Sequence, residues 1–217
     1  RRSSDLEASA HRAATFETRG GRIGLLGYYW NRRTAADGDL PGSARDLPEL
    51  VERDIERLKR RVDRVAVMVH WGVPYERQPL AEDRMKAHHF IDCGADIVIG
   101  HHPHIIQPLE VYRGRPIFFS IGNFAFGSGN SRAESLLLCF RFPGDLIEVD
   151  ILPVYVQNRD PRLNYQPKVM CGKAALQTLR RLALISGENG KLLELSDFCA
   201  RLRLTASQTY SRTSASA

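Results

Sequence analysis

Residues Arg64–Gly127, RVAVMVHWGVPYERQPLAEDRMKAHHFIDCGADIVIGHHPHIIQPLEVYRGRPIFFSIGNFAFG, decide how the rest of the chain is read. Six of the chain's seven histidines lie between His70 and His104. Two histidine positions stand where apolar runs stop: VAVMV runs into His70, and ADIVIG runs into His101-His102-Pro103-His104. Uninterrupted apolar runs of this length fit strands covered on both faces. Open α/β sheets build their sites from side chains at the carboxyl ends of such strands. The stretch therefore reads as the histidine-bearing part of a metal centre.

Working outward, the flanks supply an α/β order. On the amino-terminal side, Leu47, Leu50, Val51, Ile55 and Leu58 recur at helical spacing, which predicts a helix over Asp46–Arg61 started by Asp46 or the Pro48 turn. Upstream of it, AATFETRGGRIGLLGYYW predicts a hairpin, with Phe16 in one strand, Gly20-Gly21 at the turn and Ile23–Tyr29 in the other. Residues 1–14 read as the end of a helix, and residues 31–45 as a loop. Within the central stretch, a strand at Val65–Val69, a helix over about Pro79–Cys93 stopped by Gly94, and a strand at Ala95–Ile99 make two crossover units.

Beyond the histidines, Ile105–Tyr112 and Pro116–Ser120 read as strands about an Arg113-Gly114 turn. Glu134–Phe142 and Leu146–Gln157 read as a second hairpin about Pro143-Gly144. Residues 158–168 read as a loop, Lys173–Ile185 and Lys191–Leu204 as helices, and residues 206–217 as a disordered Ser/Thr/Ala tail.

Composition is that of an ordinary globular protein: 217 residues, 43% hydrophobic, 26% charged and a formal net charge of +6. The basic residues are spread along the chain instead of gathered in one arm, so no nucleic-acid partner is expected. Four cysteines without C-x-x-C spacing signal neither a zinc ribbon nor a disulfide framework. No run approaches the roughly 18 apolar residues of a membrane span, and no signal peptide is visible. The chain opens on Arg1, so a leader, an anchor or a longer reading frame stays open.

Imidazole nitrogen suits zinc, iron and similar transition ions, and three protein ligands leave a position for water or substrate. His102 and His104 flank Pro103, whose restricted backbone lets both face one ion. His70 approaches from a neighbouring strand tip. His101 competes with His102, because alternation in an extended segment puts the two on opposite sides. The expected metal ligands are thus His70, His102 and His104, with His101 and Asn123 as further metal or substrate contacts. No catalytic residue is singled out. His88 and His89 read as helix-surface residues, and Asp92 and Asp96 as backbone-bonding groups at a turn.

The strings HWGVPY and IDCGADIVIGHHPHIIQPLEVYRGRPIFFSIGNFAFG, with GGRIGLLGYYW and DLPELVERDIERLK upstream, resemble the bacterial capsule synthesis CapA family, also called the poly-γ-glutamate biosynthesis PgsA type. The resemblance covers about residues 5–130 and is most specific across 64–127. Pro74 departs from it, since many members carry Glu at that place in HWGxEY; Glu76 lies nearby. The family is related to the calcineurin-like metallophosphoesterases, so the resemblance implies an α/β/β/α sandwich with a metal site at the strand ends. It makes His70 the isolated histidine ligand and His101-His102-Pro103-His104 the terminal Gly-His-x-His segment, with His101 in the glycine's place.

That superfamily draws its Asp and Asn ligands and its catalytic histidine from an N-terminal half. No Asn-His pair occurs in this sequence, and Gly38-Asp39 and Gly144-Asp145 lie in turn-like contexts. The N-terminal half is therefore expected to be missing, leaving one divalent transition ion (Zn, Mn or Fe) in place of two.

The resemblance implies a capsule or poly-γ-glutamate biosynthesis protein of the cell envelope or membrane surface. It would be a metal-dependent hydrolase if an N-terminal half completes it, and it would work on an anionic polymer or phosphoester alongside the capsule synthesis machinery. Two alternatives remain: a non-catalytic scaffold or binding subunit that keeps the fold, or a soluble metallophosphodiesterase. Residues 1–157 are assigned to the CapA-like domain, 158–205 to a helical C-terminal extension and 206–217 to the tail.

Overall fold

The computed structural model describes residues 8–29, 31–37, 40–126, 134–161 and 163–205. Two sheets face each other, with two helices on the outer side of the first. Strands β1 (Ala14–Thr18) and β2 (Gly21–Tyr29) form the expected hairpin, with Gly21 at φ 108°. Helix α1 (Pro48–Lys59) then crosses to β3 (Arg64–His70), and α2 (Ala81–Asp92) crosses to β4 (Ile97–His101). β2, β3 and β4 are parallel neighbours. β5 (Leu109–Tyr112) and β6 (Arg115–Phe118) close the sheet in the order β1-β2-β3-β4-β6-β5.

Both crossover helices bury their apolar faces on one side of this sheet. Val51, Ile55 and Leu58 of α1 and Ala87, Phe90 and Ile91 of α2 pack against Leu26, Tyr28, Val65, Val67, Val69 and Val98. Pro48 occupies the first turn of α1, where its missing N–H costs nothing. Asp46 does not cap that helix. Its carboxylate instead accepts from Lys86 Nζ at 2.7 Å and ties α1's entry to α2. Asp96, fully buried, accepts from Val65 N and Lys59 Nζ, both at 2.9 Å, and so locks the start of β3 to the turn before β4.

The second sheet is antiparallel. It contains β7 (Glu134–Arg141), β8 (Leu146–Tyr155), the short β9 (Lys168–Val169), β10 (Glu194–Leu195) and β11 (Ala200–Thr205), in the order β10-β11-β8-β7 with β9 beside β8. Its inner face meets the first sheet in a second core. Ile147, Val149, Ile151, Leu202 and Leu204 pack there with Ala66, Ile97, Leu109 and Phe118. Leu179 and Leu182 of α3 (Gly172–Ile185) enter the same core. The molecule is an α/β sandwich, as the sequence implied. Its outermost face on the second sheet is a charged lattice: Arg141, Arg201 and Arg203 pair with Glu148, Asp150 and Glu194.

One element differs from its sequence reading. Residues 191–204 are not a helix. They complete a 3₁₀ turn (Gly187–Leu192) and then form β10 and β11. The run Ala200-Arg201-Leu202-Arg203-Leu204 has period two. Its apolar members face the inter-sheet core, and its arginines bond Asp150 and Glu148 on β8. The leucines upstream imitate helical spacing, but the partner strand decides. The second sheet thereby continues across residue 158, since β11 from the C-terminal segment pairs with β8. Residues 1–7 and the 206–217 tail lie outside the described residues. No helix among the described residues is long and apolar enough to cross a membrane.

Candidate metal centre

The parallel strands β2, β3 and β4 end on one rung. Tyr29 is in register with His70, and His70 with His101. In-register neighbours point to the same face of a sheet. Here that face is the one turned towards the second sheet, because Val69 on β3 and Val98 on β4 belong to the helix-side core while Ala66, Ile97 and Ile99 pack into the inter-sheet core.

After His101 the chain leaves the strand abruptly. His102 has φ 105° and His104 φ 59°, left-handed values that side chains other than glycine's rarely adopt. The alternation expected to separate His101 from His102 does not apply, since the extended backbone ends between them. The turn folds His102 back over β3, so the His70 and His102 ring centroids are 4.5 Å apart and those of His102 and His104 5.7 Å. Tyr29 packs edge-on against His70 at 4.6 Å.

Two surrounding segments, residues 75–78 and Ser120, hold this strained turn. The Tyr75 backbone N–H donates to the Pro103 carbonyl at 2.8 Å. The buried Gln107 amide donates to the Glu76 carbonyl at 2.8 Å and the Gln78 carbonyl at 3.3 Å. Ser120 Oγ donates to the Ile105 carbonyl at 2.7 Å. Beneath the turn, Trp71 is buried against Phe90 and Phe119, and its indole N–H donates to the Phe119 carbonyl at 2.9 Å. That bond passes over Gly100, where a β-carbon would overlap both the carbonyl oxygen and the indole nitrogen. Glycine is required there by close approach.

The electrostatics favour neutral imidazoles. Burial, reinforced by His102, His101 and His104 nearby, pushes His70 down to about 4. Burial also lowers His101, and burial with the adjacent His104 lowers His102. Neutral imidazole is the form that ligates metal. Asn123 Oδ1 lies 2.7 Å from His104 Nδ1, which places the proton on Nδ1 and leaves the lone pair on Nε2. Two buried polar atoms in the site have no partner: His101 Nε2 and Asn123 Nδ2.

All five expected residues thus gather at the strand tips. His70, His102 and His104 form one cluster of rings, His101 stands beside His70 on the same rung, and Asn123 orients His104. Their convergence is incomplete, because the nitrogens of His70, His102 and His104 do not all lie within 4.8 Å of one another. Glu76 is exposed and bonds the Arg77 backbone N–H. Gly144-Asp145 sits in the β7–β8 turn, and Gly38-Asp39 falls outside the described residues. Sequence reading overlooked Tyr29, Trp71 and Gln107. Tyr29 could have been found by the strand-end argument used for His70; Gln107 carried no local signal.

The family model for bacterial capsule synthesis proteins, PGA_cap, matches residues 4–128. This chain belongs to the PGA_cap family. Every site residue described above falls within the match. The chain is 41% identical over 104 residues to the PGA biosynthesis protein CapA of Bacillus subtilis (strain 168), which covers 48% of this chain and 27% of that protein. It is 33% identical over 152 residues to the capsule biosynthesis protein CapA of Bacillus anthracis, covering 66% of this chain and 37% of that one. It is also 32% identical over 139 residues to a probable polyglutamine synthesis accessory protein of Mycobacterium tuberculosis, covering 56% and 37%. The matched part thus spans about a quarter to just over a third of the length of these PGA_cap relatives.

Proposed function

We propose that this chain carries the histidine half of a metal-dependent phosphoester site in a capsule or poly-γ-glutamate biosynthesis protein of the cell envelope. The observation that carries the reading is the unpartnered, buried His101 Nε2 beside three further imidazoles at the ends of parallel strands. A buried polar atom without a partner costs about 1–3 kcal/mol, and bound ions or ligands are a recurrent reason for tolerating one.

The residues present fit one imidazole-ligated ion. His70, His102 and His104 would hold it, with the unpartnered His101 Nε2 beside them as a further metal or substrate contact. When bound, a divalent transition ion polarises a phosphoryl oxygen and lowers the pKa of an attached water. The protein's own groups do the rest. Asn123 fixes the tautomer of His104 and offers its free Nδ2–H₂ to an anionic oxygen. Tyr29 packs edge-on against the His70 ring, and Trp71, bonded to the Phe119 carbonyl, anchors the chain just after β3. The substrate class that suits this arrangement is a phosphoester or an anionic polymer, handled together with the capsule synthesis machinery.

A scaffold role is the rival reading, favoured by one observation. Among the described residues no carboxylate completes a ligand set with these histidines. Metal analysis of the purified chain separates the two. The site reading expects that, of the zinc, manganese or iron the chain holds, about one equivalent is lost in both His102→Ala and His104→Ala. A metal-free protein whose stability is the same in both variants would establish the scaffold. Hydrolysis of a chromogenic phosphodiester, absent in the same variants, would extend the result to catalysis.

A further inference from the structure

A second cluster lies on the opposite face of the first sheet and at the opposite end of its strands. Helix α2 ends just before β4 begins, so its last turn is remote from the strand tips that carry His70 and His101. His89 and Cys93 stand four residues apart there and share one helix face. The Cys93 sulfur is 3.8 Å from His89 Nδ1 and 3.6 Å from Nε2. Glu52 of α1 completes the group. Among the described residues this is the one trio of His, Cys, Asp or Glu ligand atoms that all lie within 4.8 Å of one another.

We propose that Glu52, His89 and Cys93 form a zinc-type metal site that clips α1 to α2. Thiolate, imidazole and carboxylate from two helices are a borderline-soft ligand set, suited to zinc and its relatives and poorly suited to magnesium or calcium. Three protein ligands leave a fourth position for water. His89 and Cys93 are half-buried and Glu52 is exposed, so the ion would enter from solvent at the seam between the helices. The two helices are already packed on a common core, which preforms the site and limits the ordering cost of binding.

Cys93 must lose its proton to water as the sulfur–metal bond forms. Burial and the Glu52, Asp92 and Glu56 carboxylates push the free thiol up to about 11. A bound cation reverses that local field and releases the proton at neutral pH. The site is independent of the histidine cluster, so failure of one reading leaves the other standing.

Cobalt(II) titration of the reduced full chain is the test, read by the near-ultraviolet cobalt–thiolate charge-transfer band. The expected result is a band that saturates by about two equivalents, one for this site and one for the histidine cluster, disappears in Cys93→Ser and weakens at least about tenfold in affinity in His89→Ala and Glu52→Gln. His102→Ala should leave it unchanged. Cys139, Cys171 and Cys199 are also free thiols. A band that survives Cys93→Ser therefore overturns the proposal, as does the absence of any band. Loss in Cys93→Ser with no effect of either other substitution reduces the feature to a lone thiol and equally overturns it. Circular dichroism of each variant distinguishes ligand loss from unfolding.

Discussion

At the residue scale, the histidine turn stores strain. Left-handed backbone at a residue with a β-carbon costs about 1–3 kcal/mol, and such residues cluster at functional sites. His102, at φ 105°, is the sharper of the two. His102→Gly should therefore be more stable than His102→Ala by about 1 kcal/mol in urea denaturation, although both remove the same imidazole. Equal stabilities would mean that the turn relaxes once the ring is gone. His70 gives a pH prediction. Its folded value of about 4 lies below its ordinary 6.5, so the unfolded chain binds its proton first as pH falls. Its contribution to stability is complete above about pH 6.5 and declines towards pH 4. The urea midpoint of the metal-free protein should fall across that window, and His70→Gln should flatten the fall. A slope unchanged by the substitution would assign the effect to other groups.

Elements explain why single positions in this protein resist change. Gly100 admits no side chain because the Trp71–Phe119 bond crosses β4 at that point. Gly100→Ala must break that bond or displace the strand, and should cost about 3 kcal/mol. A loss below about 1 kcal/mol, with Trp71 fluorescence unchanged, would contradict the close approach. The order of strands and helices up to residue 120 was legible in the sequence, since long apolar runs and a 3.6-residue period specify such elements locally. Boundaries were less legible. β4 extends to His101, and β5 does not begin until Leu109, because the intervening residues follow the strained turn and its clasps instead of their own β-propensity. The leucines near residue 195 imitated a helix for the same reason: β10 is a strand only because it pairs with β11, and β11 in turn pairs with β8, distant in sequence.

For the whole molecule, the two sheets share one inter-sheet core to which α3 and β11 also contribute. Leu202 is fully buried in it. Leu202→Ala should cost about 3 kcal/mol. In a Trp30→Phe background, where Trp71 alone reports on the first sheet, tryptophan fluorescence and far-ultraviolet circular dichroism should shift together in a single transition. Separate transitions would show that the sheets unfold independently. What the amino-acid sequence determined by itself was whatever depends on near neighbours in the chain: the strand–helix order up to residue 120, the family and which residues are candidates for the site. Only the tertiary structure decided the rest. It set the left-handed turn that swings His102 over His70, brought Asn123 to His104, and gave residues 200–205 a strand partner. It also brought Glu52 across to His89 and Cys93. Each of these is a contact between positions far apart in sequence, and local patterning carries no record of which distant backbone or side chain will satisfy a buried polar group or cover an apolar face.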